Sequence, residues 1–508
     1  RASNIDKLRI GNGAQFINNA GAIGSAIYVT NASVTNSSTN EIKTFGDITV
    51  GDNVVFRGNY NGSSSGSVVY VSSFNTLNLG KNTIFDSNTN SANEIIYVNG
   101  NVWQDSTTGN YSAVGEFIID EKAKFTKNIT RGAVITANNV DKFELGDGAR
   151  FENNTVGNNL IRVIGTSGNN NEDELSNTTS VEIGNDVVFK NNIYNNTNPG
   201  STNIGSRALY MSNLDSLIIG NNIKFDGSNQ GANGAFLTAN NVKTIEIGEN
   251  AEIIGSYIST GATYLVGMVI SSVDSFTLND GAVFKGNTRA INLLTVKDAI
   301  ISNAVFEENK YTESNINGGG GAIYMQYGDL LEIGDDVTFK ANYASGGGGA
   351  FYLNQVAKAT IGDNAVFNGN YTNGNYGGHI YYNGLRNSSG EAVSTLTIGN
   401  NAQFTGAYTQ SSAGAMYLNN IKDLTIGHNA LFKGNYTTGG NGGGALYIYG
   451  SVVNSAPETT VKLGNAAKFI NNYAYNNGAA VYGYQLKSFT LGDGAVFSGN
   501  YTNNYGYG

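Results

Sequence analysis

The sequence contains no cysteine, two prolines, two histidines and one tryptophan in 508 residues. Without cysteine there are no disulfides and no thiolate metal sites. So few prolines leave backbone ladders uninterrupted, because proline deletes a hydrogen-bond donor wherever it stands. Charged residues make up only 13%, too few for a disordered polyelectrolyte. The net charge of −10 argues against nucleic acid or an anionic membrane as partner. No apolar stretch approaches the roughly 20 residues that span a bilayer as a helix, so this segment is expected to make no membrane contact. What the chain has instead is glycine, 68 residues of it, abundant Asn in the same turns, and an apolar fraction of 40% that suffices for a continuous core.

One phrase recurs sixteen times. A short alternating strand ends in Gly and is followed by an Asx turn, a Phe, an Asn three residues on, and a Gly-rich step into a second apolar strand. One copy reads Leu396-Thr-Ile-Gly-Asn-Asn-Ala-Gln-Phe404, then Gly414-Ala-Met-Tyr-Leu418. The next reads Leu424-Thr-Ile-Gly-His-Asn-Ala-Leu-Phe432, then Gly442-Gly-Gly-Ala-Leu-Tyr-Ile448. The register position holds Phe16, Phe56, Phe85, Phe125, Phe151, Phe189, Phe225, Ile253, Phe284, Phe306, Phe339, Phe367, Phe404, Phe432, Phe469 and Phe497. Thirteen of these carry Asn three residues later; Ser228, Ser256 and Ala407 are the exceptions. From Phe339 onward the steps are 28, 37, 28, 37 and 28 residues. A helix pair would not absorb such insertions, whereas a coil of short strands lets them bulge at one corner.

Each unit holds about three short strands. The first alternates, as in Leu331-Glu-Ile333 and Val181-Glu-Ile183, which buries one face and leaves the other to solvent. The second places Ala and Phe two residues apart, as in Ala365-Val-Phe367, so both can point inward. The third reads Gly-Ala-hydrophobic-Tyr-hydrophobic, as in Gly321-Ala-Ile-Tyr-Met325, and its inward face stays open because both faces are partly apolar. Three strands and three turns close one rung of a single-stranded parallel β-helix. The expected architecture is therefore all-β, a solenoid of about 16 rungs running through 1–508 as one continuous repeat region. At the normal strand spacing the rod would be on the order of 75 Å long. Stacked rungs would make the Phe positions an internal aromatic column and the Asn positions an amide ladder. A propeller needs roughly 40 or more residues per blade, more than the shorter steps supply. The ends fall inside the pattern, at Leu8-Arg-Ile-Gly and Asn500-Tyr-Thr-Asn-Asn, which implies a segment of a longer protein with any export signal or anchor outside it.

Phe-x-x-Asn paired with Gly-Gly-Ala-Ile-like tetrapeptides resembles the passenger region of chlamydial polymorphic outer membrane proteins and related bacterial autotransporter adhesins. The matches are Phe339-Lys-Ala-Asn342 with Gly348-Gly-Ala-Phe351, Phe432-Lys-Gly-Asn435 with Gly443-Gly-Ala-Leu446, and Phe306-Glu-Glu-Asn309 with Gly320-Gly-Ala-Ile323. The Phe-x-x-Asn half covers essentially the whole chain, and the Gly-Gly-Ala half is good only after about residue 315. The resemblance implies a right-handed coil displayed on a bacterial surface with an adhesive role. Two departures stand out: no Cys, and no C-terminal outer-membrane barrel.

The sharpest binding candidate is a tyrosine column four residues after Phe in the last six rungs: Tyr343, Tyr371, Tyr408, Tyr436, Tyr473 and Tyr501. In-register aromatic rings suit glycan stacking or a protein interface; equally, they could stack on one another and only stiffen the coil. Long corner insertions near 31–43, 99–115 (with Trp103), 165–179, 383–394 and 450–459 are the other candidates, since rigid scaffolds place specificity on loops; a tolerated bulge is the plain alternative. Phe339, Phe367, Phe404, Phe432, Phe469 and Phe497 are expected to form the structural core ladder of the same rungs. Asp52, Asp147, Asp335, Asp363 and Asp493 sit singly in Asx turns. That fits turn geometry rather than calcium, which needs six to eight oxygens. Neither His379 nor His428 is flanked by a nucleophile motif, and Glu182, Glu246 and Glu332 read as a solvated face. No catalytic residue, metal or cofactor is expected.

The leading expectation is a non-catalytic adhesin stalk. It would be extracellular on a bacterial cell surface, anchored in the outer membrane through a region not in this chain, and would bind a protein or glycan of a host or neighbouring cell. The alternative is a self-assembling surface filament or surface-layer component whose partner is another copy of itself. A glycan-active β-helix enzyme ranks below both.

Overall fold

A computed structural model describes the chain apart from residues 22–23, 32–33, 36–41, 44–45, 63–65, 105–110, 167–177, 195–205, 229–233, 257–265, 313–317, 375, 441 and 504–508. Among the described residues there is no helix, and strand content is 59%. The fold is an all-β parallel β-helix, a solenoid of short stacked strands. The residues group into two compact units, 1–274 and 275–508, and each is such a coil.

The Phe strand shows how the repeat makes a rung. In Val55–Arg57 the Phe56 ring is fully buried while its two neighbours face outward. Period-two alternation demands this of a strand with one wet face. In the first unit eight such strands pair parallel in sequence order, from Gln15–Ile17 to Glu252–Ile254. Their register sets Phe on Phe until Ile253 meets Phe225. In the second unit eight more do the same, from Ala282–Lys285 to Val496–Ser498. There the rings from Phe284 to Phe497 stack at 4.8–5.0 Å, within 15° of parallel. Each fully buried ring contributes about 2–3 kcal/mol.

Two departures from a uniform core column appear. In the first unit Phe236, from the third strand, meets Phe189 at 62° and Phe225 at 52°, so a ring from another strand interrupts the parallel stack. In the second unit Phe497 stacks on Phe469 at 4.8 Å yet remains 49% exposed. It was expected in the core; among the described residues no rung covers its far face.

The Asn positions form the expected ladder. Within an unbroken run an Asn Nδ2 donates to the Oδ1 of the next rung's Asn and to a Phe carbonyl, and the Oδ1 also accepts a backbone N–H. Asn88 illustrates this: its Nδ2 reaches Asn128 Oδ1 at 3.0 Å and Phe56 O at 2.9 Å, and its Oδ1 takes the Asn59 N–H at 3.0 Å. The ladder runs from Asn19 to Asn192 in the first unit. In the second it runs from Asn287 to Asn370 and again from Asn435 to Asn500.

The turn before the Phe strand has its own logic. Its second residue is Asp or Asn in most rungs, and that side-chain oxygen accepts the N–H of the equivalent residue one rung on: Asp335 to Asp363 at 2.7 Å, Asp363 to Asn400 at 2.6 Å, Asn400 to His428 at 2.8 Å. Its third residue is left-handed, as at Asn53 (φ 56°), Asp336 (φ 57°) and Asn364 (φ 59°). Asn and Asp tolerate that region best among residues with a side chain. Both facts explain the abundance of Asx.

The third strand of one unit pairs in the same sheet as the first strand of the next. Where no insertion intervenes the two fuse, as in Ile323–Ile333 and Phe351–Ile361, across a left-handed corner residue such as Gln355 (φ 55°). Insertions split them and add antiparallel hairpins at this corner: Val34–Thr35 with Ile42–Lys43, Asn101–Gln104 with Tyr111–Val114, and Val452–Val453 with Ala456–Pro457. Among the described residues thirteen of the rungs also carry a two-residue strand after the Phe strand, such as Tyr343–Ala344.

Candidate functional site

The two-residue strand positions the predicted tyrosines. Its first residue faces out and its second faces in: Ala344 is fully buried and Thr372 likewise, while Tyr343 and Tyr371 are half-exposed. In the second unit seven of these strands pair in order, and register sets Tyr343, Tyr371, Tyr408, Tyr436, Tyr473 and Tyr501 against one another in turn. All six therefore share one outer column. Exposure varies along it, from 59% at Tyr501 and 39% at Tyr436 to 8% at Tyr473.

The rings are not uniformly stacked. Tyr436 and Tyr473 lie 4.6 Å apart at 20°, and Tyr408 and Tyr436 lie 5.9 Å apart at 17°. Tyr343 is tilted 45° from Tyr371, and Tyr473 meets Tyr501 edge-on at 63°. Tyr371 and Tyr408 are paired in register. Part of the column thus serves to stiffen the coil, while Tyr436 and Tyr501 stay exposed. Burial and the neighbouring Tyr371 push the Tyr343 hydroxyl above its usual pKa, so it stays protonated and able to donate. Lys310, at the equivalent position one rung earlier, sits over the Tyr343 ring at 5.5 Å.

A second tyrosine column went unread in the sequence. The third strand puts Ile323 and Met325 in the core and Tyr324 on the opposite face, where the ring is covered and only 1% exposed, which settles the face that composition left open. Tyr324, Tyr352, Tyr381, Tyr417, Tyr447 and Tyr482 then stack at 4.6–5.4 Å, within 14° of parallel. Tyr376, from the intervening turn, packs on Tyr417 at 4.3 Å. Burial raises the hydroxyl pKa values of Tyr352, Tyr381 and Tyr417. Here every inner ring has both faces covered by its neighbours, so this column is a brace and offers edges only.

The glycine run 318–321 that leads into the Gly-Gly-Ala motif makes room for that brace. A Cβ on Gly319 would overlap the Tyr352 ring and crowd the Gly347 carbonyl. Gly319→Ala is therefore expected to destabilise the second unit by about 1–3 kcal/mol, as overpacking does, read as a shifted urea midpoint. An unchanged midpoint would remove this account of the motif.

The corner insertions come together in the second unit across one short rung. The Ala392 N–H donates to Glu458 Oε2 at 3.2 Å, and Arg386 reaches Asn420 Oδ1 at 2.6 Å. In the first unit the Ala113 N–H donates to Thr178 Oγ1 at 3.1 Å. Trp103 lies in the strand Asn101–Gln104, opposite Ser112; its side chain, and residues 167–177 of the insertion near 165–179, lie outside the described residues.

Other titratable groups have structural employment. Asp335 and Asp363 cap the next rung, as described above. Among the described residues no three of His, Asp and Glu converge on a point. Glu182 borders Lys142 at 3.4 Å on an open face. His428 uses Nδ1 to accept the Asn465 N–H at 3.0 Å, replacing the Asx oxygen of other rungs. His379 is fully buried, and burial holds its pKa down at about 3. No family model, curated protein or solved structure matches this chain.

Proposed function

We propose that this chain is the adhesive, non-catalytic stalk of a bacterial surface protein, displayed outside the cell and held to the outer membrane through another part of the protein. The outward tyrosine column carries this reading: six in-register tyrosines on one side of a coil braced by a second, stacked column. Tyrosine brings large contact area and a polar tip at small entropic cost, which suits recognition. A coil locked by Phe, Asn and Asx columns holds such a row in a fixed geometry, so binding need not order it first.

Beads coated with the chain are expected to attach to cultured cells. The triple variant Tyr371→Ala, Tyr408→Ala, Tyr436→Ala is expected to lower attachment by about tenfold or more, since interface aromatics carry a large share of binding energy. Equal attachment by a variant that melts like the parent would refute the role of the column.

A further inference from the structure

We propose that the outward tyrosine column of the second unit binds an uncharged, linear glycan laid along the stacking direction. This names the ligand class of the surface just described and rests on that reading. The first observation is charge. Residues 341–357, 369–385, 406–421, 434–457 and 471–486 contain no Asp, Glu, Lys or Arg. These five stretches hold the two-residue strand, the Gly-rich turn and the third strand of successive rungs. The corresponding parts of the first unit carry Glu94, Arg131, Arg162 and Arg207, and their outer position holds a single tyrosine, Tyr60, among Ala20, Thr89, Ile129, Thr155 and Ile193. Beyond Lys310, which lies over Tyr343 at the start of the column, this face holds no fixed charge and gives little Coulombic pull on polyanions or basic peptides.

The second observation is ring geometry. A sugar needs an uncovered aromatic face, and the braced column has none to give. The outward column is more open: Tyr436 and Tyr501 are exposed, and the Tyr343–Tyr371 and Tyr473–Tyr501 pairs are splayed. The third observation is the row beside it. Two residues after the six tyrosines stand Ser345, half-buried, and Asn373, Gln410, Thr438, Tyr475 and Asn503, all exposed. Amides and hydroxyls supply both donors and acceptors, as sugar hydroxyls require. Rings and neutral hydrogen-bonding groups thus run as two neighbouring rows, each repeating at rung spacing. Such rows match a polymer whose units repeat along its own axis, more closely than they match an irregular protein epitope.

The test uses the full chain and calorimetric titration with neutral hexasaccharides (β-1,4-glucose, β-1,3-glucose and β-1,4-mannose) beside a heparin hexasaccharide. At least one neutral chain is expected to bind, with affinity changing less than about threefold between about 50 and about 500 mM salt. The matching disaccharide should bind at least about tenfold more weakly, because it spans fewer rungs. Tyr371→Ala with Tyr408→Ala should lower affinity about tenfold, and the paired Phe variants should restore it to within about threefold, since the ring carries the contact. Salt-sensitive binding of heparin alone would overturn the proposal. So would tyrosine-dependent attachment to cells with no neutral hexasaccharide bound: that outcome assigns the column to a protein partner and leaves the adhesive reading standing. Absence of both cell attachment and glycan binding would overturn the two together.

Discussion

Phe404→Asp lowers the stability of the second unit by about 5 kcal/mol or more. Phe404 is fully buried, and its ring lies 4.9 Å from both Phe367 and Phe432, at 14° and 8°. Removing a ring from a filled core costs about 3–5 kcal/mol. The replacement also buries a carboxylate, which costs several kcal/mol more or forces the group to stay protonated. The damage should be local at first, because each rung of a solenoid packs only on its neighbours. Amide exchange should therefore quicken most at Gln403–Thr405 and in the Phe strands paired to it, Val366–Asn368 and Leu431–Lys433. Phe497→Asp is the internal control. That ring is 49% exposed, so its carboxylate keeps water, and the loss should stay near about 1 kcal/mol. Equal urea midpoints for Phe404→Asp and the parent would sink the model of a buried aromatic column.

That column was legible in the sequence for a physical reason. In a solenoid, residues at one repeat position meet their own kind on the next rung, so a periodicity in the chain is already a list of contacts. Phe339 on Phe367 and Asn342 on Asn370 follow from counting alone. The Asx turn was half legible. Its conformation could be read from residue type, but the bond from Asp335 to the Asp363 N–H depends on rungs being stacked in register. The face of the third strand could not be read, because Ile323, Tyr324 and Met325 are all apolar enough to be inside. Without that face the braced column stayed hidden, and the outward column could not be separated from it. Two-residue strands such as Tyr371–Thr372 are too short to show alternation. The difference between the units was in plain view, as Tyr against Ile and Thr at one position, yet only the pairing turns it into a difference between two surfaces.

The last of these hidden contacts gives the second large effect. Removing His379 alone should cost about 3 kcal/mol or more, by the lost hydrogen bond and the cavity together, and Ala407→Asn made together with it should restore most of that loss. The Asn ladder of the second unit has one gap, at Ala407, where the next amide after Asn370 would stand. His379 fills it. Its Nδ1 lies 3.0 Å from Asn370 Nδ2, and because the amide nitrogen is a donor, Nδ1 accepts and the ring is neutral with its proton on Nε2. The ring packs 5.8 Å from Phe367 and 6.1 Å from Phe404. His379 stands where other rungs carry Ala, and Ala407 where they carry Asn, so the two exceptions compensate one another in space. His379→Ala leaves the Asn370 amide short of an acceptor, worth about 1–3 kcal/mol, and empties a ring-sized volume. In the double variant the amide introduced by Ala407→Asn would resume the ladder and accept from Asn370. A double-mutant cycle should then show a coupling of about 1–3 kcal/mol in favour of the pair; additive losses would refute the compensation. Acid gives an independent check. Burial lowers the His379 pKa to about 3, against about 6.5 for the unfolded chain. The unfolded state therefore binds the extra proton first as pH falls, and stability drops by up to about 1.4 kcal/mol per pH unit between those two values. Above the ordinary histidine value this contribution is constant. The double variant lacks the buried imidazole, so its stability should fall less steeply than that of the parent over this window. Parallel acid profiles would mean that His379 is not the group that titrates, and the ladder repair would have to stand on the mutant cycle alone.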